Sequence, residues 1–123
     1  MIGLNLYPTI TRNWRHAMRN DSIKAWSEVY PVLEQVKEKF NKPLIMTEAG
    51  CMPYYQFLIS PEAWQIDRLE DDTKDDEAMR IFWYGLLNNE RLGSLFDEVY
   101  TWFVEKSDEQ ETIDFFKFYN QGV

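Results

Sequence analysis

Histidine and cysteine each occur once, as His16 and Cys51. A single cysteine excludes an intrachain disulfide, which fits a reducing compartment. One histidine and one cysteine also argue against a structural zinc site, which draws on several such ligands. Positive charge is scarce: 13 Lys and Arg stand against 21 Asp and Glu, a formal net charge of -8. A negative surface repels phosphate backbones and anionic headgroups, so neither nucleic acid nor a membrane surface is expected as a partner. No apolar run approaches the length of a membrane span. Neither a repeat nor a low-complexity segment is present. The opening MIGLNLYP has neither a basic leader nor a long apolar core, so no signal peptide is expected there.

What the sequence does have is aromatic residues, 16% of its 123 residues, within an ordinary 45% hydrophobic content. That composition belongs to one folded domain with a real core, and no linker divides it. Residues 2–7, IGLNLY, alternate apolar positions as a strand does, and Pro8 ends them. The segment SIKAWSEVYPVLEQVKEKF places Ile23, Trp26, Tyr30, Leu33, Val36 and Phe40 on one helical stripe, with Asp21 or Ser22 as its cap. Pro31 within it predicts a kink or the first turn of a second helix. LIMTE, residues 44–48, reads as a buried strand.

A long loop follows to about residue 73, and loops of that length are often functional. The acidic run EDDTKDDE lacks the glycine and spacing of an EF-hand loop. It reads instead as a solvated start to the helix AMRIFWYGLLNNE, with its charges at the positive end of the helix dipole. Gly93 is placed to stop that helical region. EVYTWFV, residues 98–104, predicts a third strand, and DEQETIDFFKFYN a last amphipathic helix with Ile113, Phe116 and Tyr119 inward. Strand and helix alternate three times, which implies an α/β fold with parallel strands and right-handed crossovers.

In such folds chemistry gathers at the carboxyl ends of the strands. Those ends carry Asn5 and Tyr7, then Glu48, then Trp102. A carboxylate at the mouth of a buried strand is costly unless it is paired, and the Tyr7 hydroxyl is a suitable donor. Trp26 and Trp83 fall on helix faces and are expected in the core. His16 reads as a loop residue, and Cys51 as a packed thiol, since no base accompanies it.

IGLNLYP, KPLIMTEAG and EVYTWFV, in that order with a helix between each, resemble the last three βα units of the retaining β-glycosidases with a TIM (β/α)8 barrel, the superfamily called clan A. ISPEAW and AMRIFWYGLL look most like its β-mannanase-like branch. The resemblance spans essentially all of residues 1–123. It implies strands six to eight of a barrel, with Glu48 matching the catalytic nucleophile and Tyr7 the residue that hydrogen-bonds it. Trp102 would match the platform under the sugar at the cleavage site. Asn5, Trp14 and Trp64 are expected to border the substrate, a β-mannan or related β-glycan. Neither a cofactor nor a metal is implied.

The superfamily's acid/base glutamate belongs to an Asn-Glu pair at the end of the fourth strand. Asn89 and Glu90 fall late in a helical pattern and are a poor substitute. A whole barrel takes about 250 residues. The expectation is therefore a C-terminal fragment, inactive alone, whose partner is the missing N-terminal part of the barrel or, failing that, another copy of itself. The alternative is a non-catalytic acidic α/β module that binds a sugar or another molecule. Residues 2–7 carry no charge to protect an exposed sheet edge, which weighs against that alternative.

Overall fold

The computed structural model describes residues 1–62 and 74–102, with Thr101 and Trp102 described by backbone alone. Three parallel strands form an open sheet in sequential order: β1 (Ile2–Asn5), β2 (Leu44–Gly50) and β3 (Phe96–Trp102). Helix α1 (Arg19–Phe40) joins β1 to β2, and α2 (Glu77–Leu87) with the short α3 (Glu90–Gly93) lies between β2 and β3. Short 3-10 turns occupy Trp14–His16 and Tyr55–Leu58. The α/β class and the parallel pairing follow the sequence expectation. The expected last helix, with Ile113, Phe116 and Tyr119, lies outside the described residues.

One face of the sheet is apolar. Ile2, Leu4, Leu44, Met46, Phe96 and Val99 join the hydrophobic core, and α1 and α2 pack against each other over it. Trp26, Phe82 and Trp83 are fully buried there, as expected of the two tryptophans. The Phe82 ring meets Trp26 edge-on at 5.5 Å and Trp83 at 5.2 Å. Such edge-to-face pairs add to the burial of the rings. The opposite face exposes Gly3, Asn5, Thr47, Glu98 and Tyr100.

The crossing of α1 over α2 is set by a serine and a glycine. Ser22 Oγ donates to the Phe82 carbonyl at 2.9 Å and accepts from the Gly85 amide at 2.8 Å. Trp26 Nε1 donates to the same carbonyl at 2.6 Å. A Cβ on Gly85 would lie 2.1 Å from the Ser22 carbonyl oxygen, so only glycine permits this approach. The approach also corrects the expected stripe. Ser22, Ala25, Trp26 and Leu33 turn inward, while Ile23 and Phe40 stay 42% and 52% exposed. A hydroxyl that satisfies α2's backbone takes the position the apolar pattern assigned to Ile23.

Other boundaries shift for local reasons. α1 begins at Arg19 rather than Ser22, because Asp21 reaches back to the Met18 amide at 2.8 Å. This is the return half of a capping box. Pro31 does not divide α1; its ring faces solvent, where water can serve the carbonyl it leaves free. β1 ends at Asn5 rather than residue 7 and β2 runs on past Glu48 to Gly50, because Ala49 and Gly50 pair with Thr101 and Trp102. β3 starts at Phe96, two residues before the expected 98, where Phe96 pairs with Leu44. The helix expected over residues 78–90 breaks at Asn88, and Asn89 caps α3 by accepting from the Leu92 amide at 3.0 Å. Gly93 closes α3, as anticipated.

Candidate functional site

The upper end of β1 and β2 is joined by side chains as well as by backbone. The Tyr7 hydroxyl donates to Glu48 Oε2. The Leu6 amide donates to the Glu48 carbonyl at 2.9 Å, carrying the ladder beyond the end of β1. Thr47 Oγ1 donates to Asn5 Oδ1 at 2.8 Å. Burial pushes the Tyr7 phenol well above its ordinary value, and the hydrogen bond to Glu48, the charge of Glu48 and the charge of Glu62 push it further. The phenol therefore stays a proton donor toward the Glu48 carboxylate at any working pH. A half-buried carboxylate held by a fixed hydroxyl is suited to staying oriented.

The register places Glu48 in an irregular stretch. Leu4 faces Met46 but Asn5 faces Glu48, and between Met46 and Ala49 the pairing with β3 also shifts. β2 thus carries an extra residue relative to both neighbours, a bulge of the kind that re-aims a side chain.

The structure brings Asn5, Tyr7 and Glu48 together. Trp14 sits half-buried in its turn with the Arg15 guanidinium 4.3 Å from the ring centre, and that turn packs against Tyr55–Leu58. His16 is exposed in the same turn. Trp102 ends β3 in register with Gly50, and Trp64 lies outside the described residues. Asn89 and Glu90 start α3 and do not reach a strand end. Cys51 is buried, and burial pushes its thiol far above the usual range. Among the described residues no group of three or more His, Cys, Asp or Glu side chains is placed to hold a metal ion.

Three residues of the site escaped the sequence reading. Thr47 is the extra residue of the bulge and Gly3 lies against it; an isolated glycine in a strand pattern is the available signal. Glu62 arrives through the loop after β2. The Ile10 amide donates to the Leu58 carbonyl at 2.9 Å and Thr9 Oγ1 to the Ile59 carbonyl at 2.9 Å, which ties that loop to the segment after Tyr7. No local pattern announces such a pairing. Comparison with family models, with curated proteins and with solved structures found no match to this chain.

Proposed function

We propose that the chain is the C-terminal part of a retaining glycoside hydrolase acting on β-linked sugars, a β-mannan or related β-glycan. Glu48 is its nucleophile and Tyr7 the residue that orients it. The observation that carries this is the Tyr7–Glu48 hydrogen bond across the upper ends of two adjacent parallel strands. The winding supports a barrel origin. Sequential strand order with the helices together on one face differs from the doubly wound sheets, whose strand order reverses. It leaves the second face to become the inside of a closed barrel. Parallel sheets are ordinarily covered on both faces, and among the described residues Gly3, Asn5, Thr47, Glu98 and Tyr100 are exposed on that second face, around a buried Ile45.

The chemistry follows from these groups. The ionised Glu48 attacks the anomeric carbon and forms a glycosyl-enzyme ester, while the leaving oxygen takes a proton from a second carboxyl group. That second group, roughly 5–5.5 Å away in retaining enzymes, then activates water to release the sugar. Tyr7 holds Glu48 in place for the attack. Asn5, Trp14, Trp64 and Trp102 would border the sugar. The acid/base would come from the N-terminal part of the barrel, so the chain by itself turns over no glycoside.

The DNA upstream of the Met1 codon decides the matter. The expected result is an open frame encoding five more βα units, with a strand ending in Asn-Glu. The extended polypeptide then hydrolyses an aryl β-mannoside or β-glucoside, and Glu48→Gln removes that activity by several orders of magnitude. A stop codon in frame just before Met1, with the chain made as it stands, leaves the acidic binding module as the better account. Turnover by the isolated chain that Glu48→Gln abolishes contradicts the missing acid/base.

A further inference from the structure

The bulge at Thr47 poses a mechanical problem. Side chains alternate along a strand, so one extra residue re-aims those beyond it, and their direction is definite only where the bulge is fixed. Glu48 comes directly after the extra residue, level with Asn5, and there its carboxylate meets Tyr7. Three contacts pin the stretch. Thr47 Oγ1 donates to Asn5 Oδ1 at 2.8 Å. The Leu6 amide holds the Glu48 carbonyl at 2.9 Å. Beneath them Gly3 has no side chain, and a Cβ built there would lie 2.8 Å from Thr47 Cγ2. The threonine methyl therefore occupies the space that any other residue at position 3 would fill.

We infer that Gly3, Asn5 and Thr47 form a positioning device that fixes the Glu48 carboxylate against the Tyr7 hydroxyl. None of the three is assigned contact with a reacting atom in this role. Gly3 makes room, Thr47 fills it and turns its hydroxyl to Asn5, and the bulge is held in the one arrangement that presents Glu48 to Tyr7. The consequence for catalysis rests on Glu48 being the nucleophile, whereas the geometry does not.

The device makes a compensation test possible. Gly3→Ala places a methyl group 2.8 Å from the Thr47 methyl, too close for both to stay, so Thr47 must turn and its hydroxyl leaves Asn5. Thr47→Ser removes the methyl and keeps the hydroxyl, so Gly3→Ala combined with Thr47→Ser restores the fit. The readout is the Tyr7 hydroxyl proton in the NMR spectrum of the 123-residue chain, assigned by its loss in Tyr7→Phe. A hydrogen bond to a carboxylate shifts it downfield and slows its exchange with water. Amide spectra of each variant report whether the fold is kept.

The expected result is a downfield resonance in the parent chain, lost in Gly3→Ala and in Thr47→Val, kept in Thr47→Ser, and regained in the double variant. A resonance unchanged by Gly3→Ala, or one that the double variant fails to recover, overturns the inference. A parent chain without the resonance overturns it as well. Hydrolysis by the extended polypeptide reads the separate question. If the resonance follows the expected pattern while that polypeptide cleaves no glycoside, the device stands and the nucleophile assignment falls.

Discussion

At the scale of single residues, charges and thiols in this chain behave according to what surrounds them. Cys51 is wholly buried, and burial holds its thiol protonated. A thiolate is needed for reaction, so a disulfide reagent such as Ellman's should leave the native chain unlabelled and label it once it is unfolded in guanidinium. Labelling of the native chain as fast as of free cysteine would contradict that packing. Glu77 is the opposite case. Burial opposes its ionisation, but hydrogen bonds from Arg19 at 2.7 and 3.0 Å and from Arg80 at 2.9 Å outweigh burial and hold the carboxyl below its usual range. A group lowered in the folded state stabilises fully above its unfolded value, near 4.3, and ceases to do so as pH falls through the folded value. Arg19 and Glu77 are partly exposed, so the contribution is about 1 kcal/mol or less. Melting of the parent chain and Glu77→Gln across pH 3 to 7 should show the largest difference near neutrality and none in strong acid. A constant difference would place the effect in packing instead. Tyr7 and Glu48 were legible in the sequence because a strand ending in a carboxylate asks for a donor. Glu62 was not, because its charge reaches Tyr7 through loop contacts between residues 50 apart, such as Thr9 and Ile59.

At the scale of elements, α1 and α2 are locked by the close approach of Ser22 to Gly85. Gly85→Ala forces the helices apart, since its Cβ would lie 2.7 Å from Trp26 Cδ1 as well as against the Ser22 backbone. Overpacking of this kind costs about 1–3 kcal/mol, and here backbone rather than a flexible side chain stands in the way. The midpoint of urea unfolding should fall accordingly, and a variant as stable as the parent would show that the two helices have room to spare. A smaller change is expected at α3. Asn89→Ala removes the side chain that accepts from the Leu92 amide and costs about 1 kcal/mol by the same measurement. Hydrophobic periodicity located α1 and all three strands, because burial on one side imposes a repeat that sequence reports. It misplaced the inward face of α1 because the decisive residue is Ser22, whose hydroxyl is buried only because α2 offers a carbonyl and an amide. It also ran α2 and α3 together. The break at Asn88 and Asn89 is made by capping hydrogen bonds that an apolar repeat does not register.

At the scale of the whole molecule, the described residues build the core on one face of the sheet. Among the described residues β1 and β3 are edge strands, and β1 carries no charge along Ile2–Asn5. Natural sheets protect such edges with charges, prolines or covering elements. β3 has Asp97 and Glu98, which resist pairing with a like-charged neighbour, so β1 is the edge open to another strand. Among the described residues the other face exposes Asn5, Thr47, Glu98 and Tyr100, with Tyr100 donating to Glu98 at 2.7 Å. These groups suit the lining of a barrel better than the outside of a finished domain, whose parallel strands would be covered on both sides. If the chain is the C-terminal part of a barrel, then purified alone it has an unsatisfied edge and an uncovered face, and its mass in sedimentation equilibrium should rise with concentration. Joined to the strands that complete the sheet it should be monomeric, with a single sharp melting transition. A chain that is monomeric and melts cooperatively on its own at every concentration contradicts that demand. It would mean that the three strands and their helices form a finished unit, with the polar face serving as a binding surface and the Tyr7–Glu48 pair as part of it.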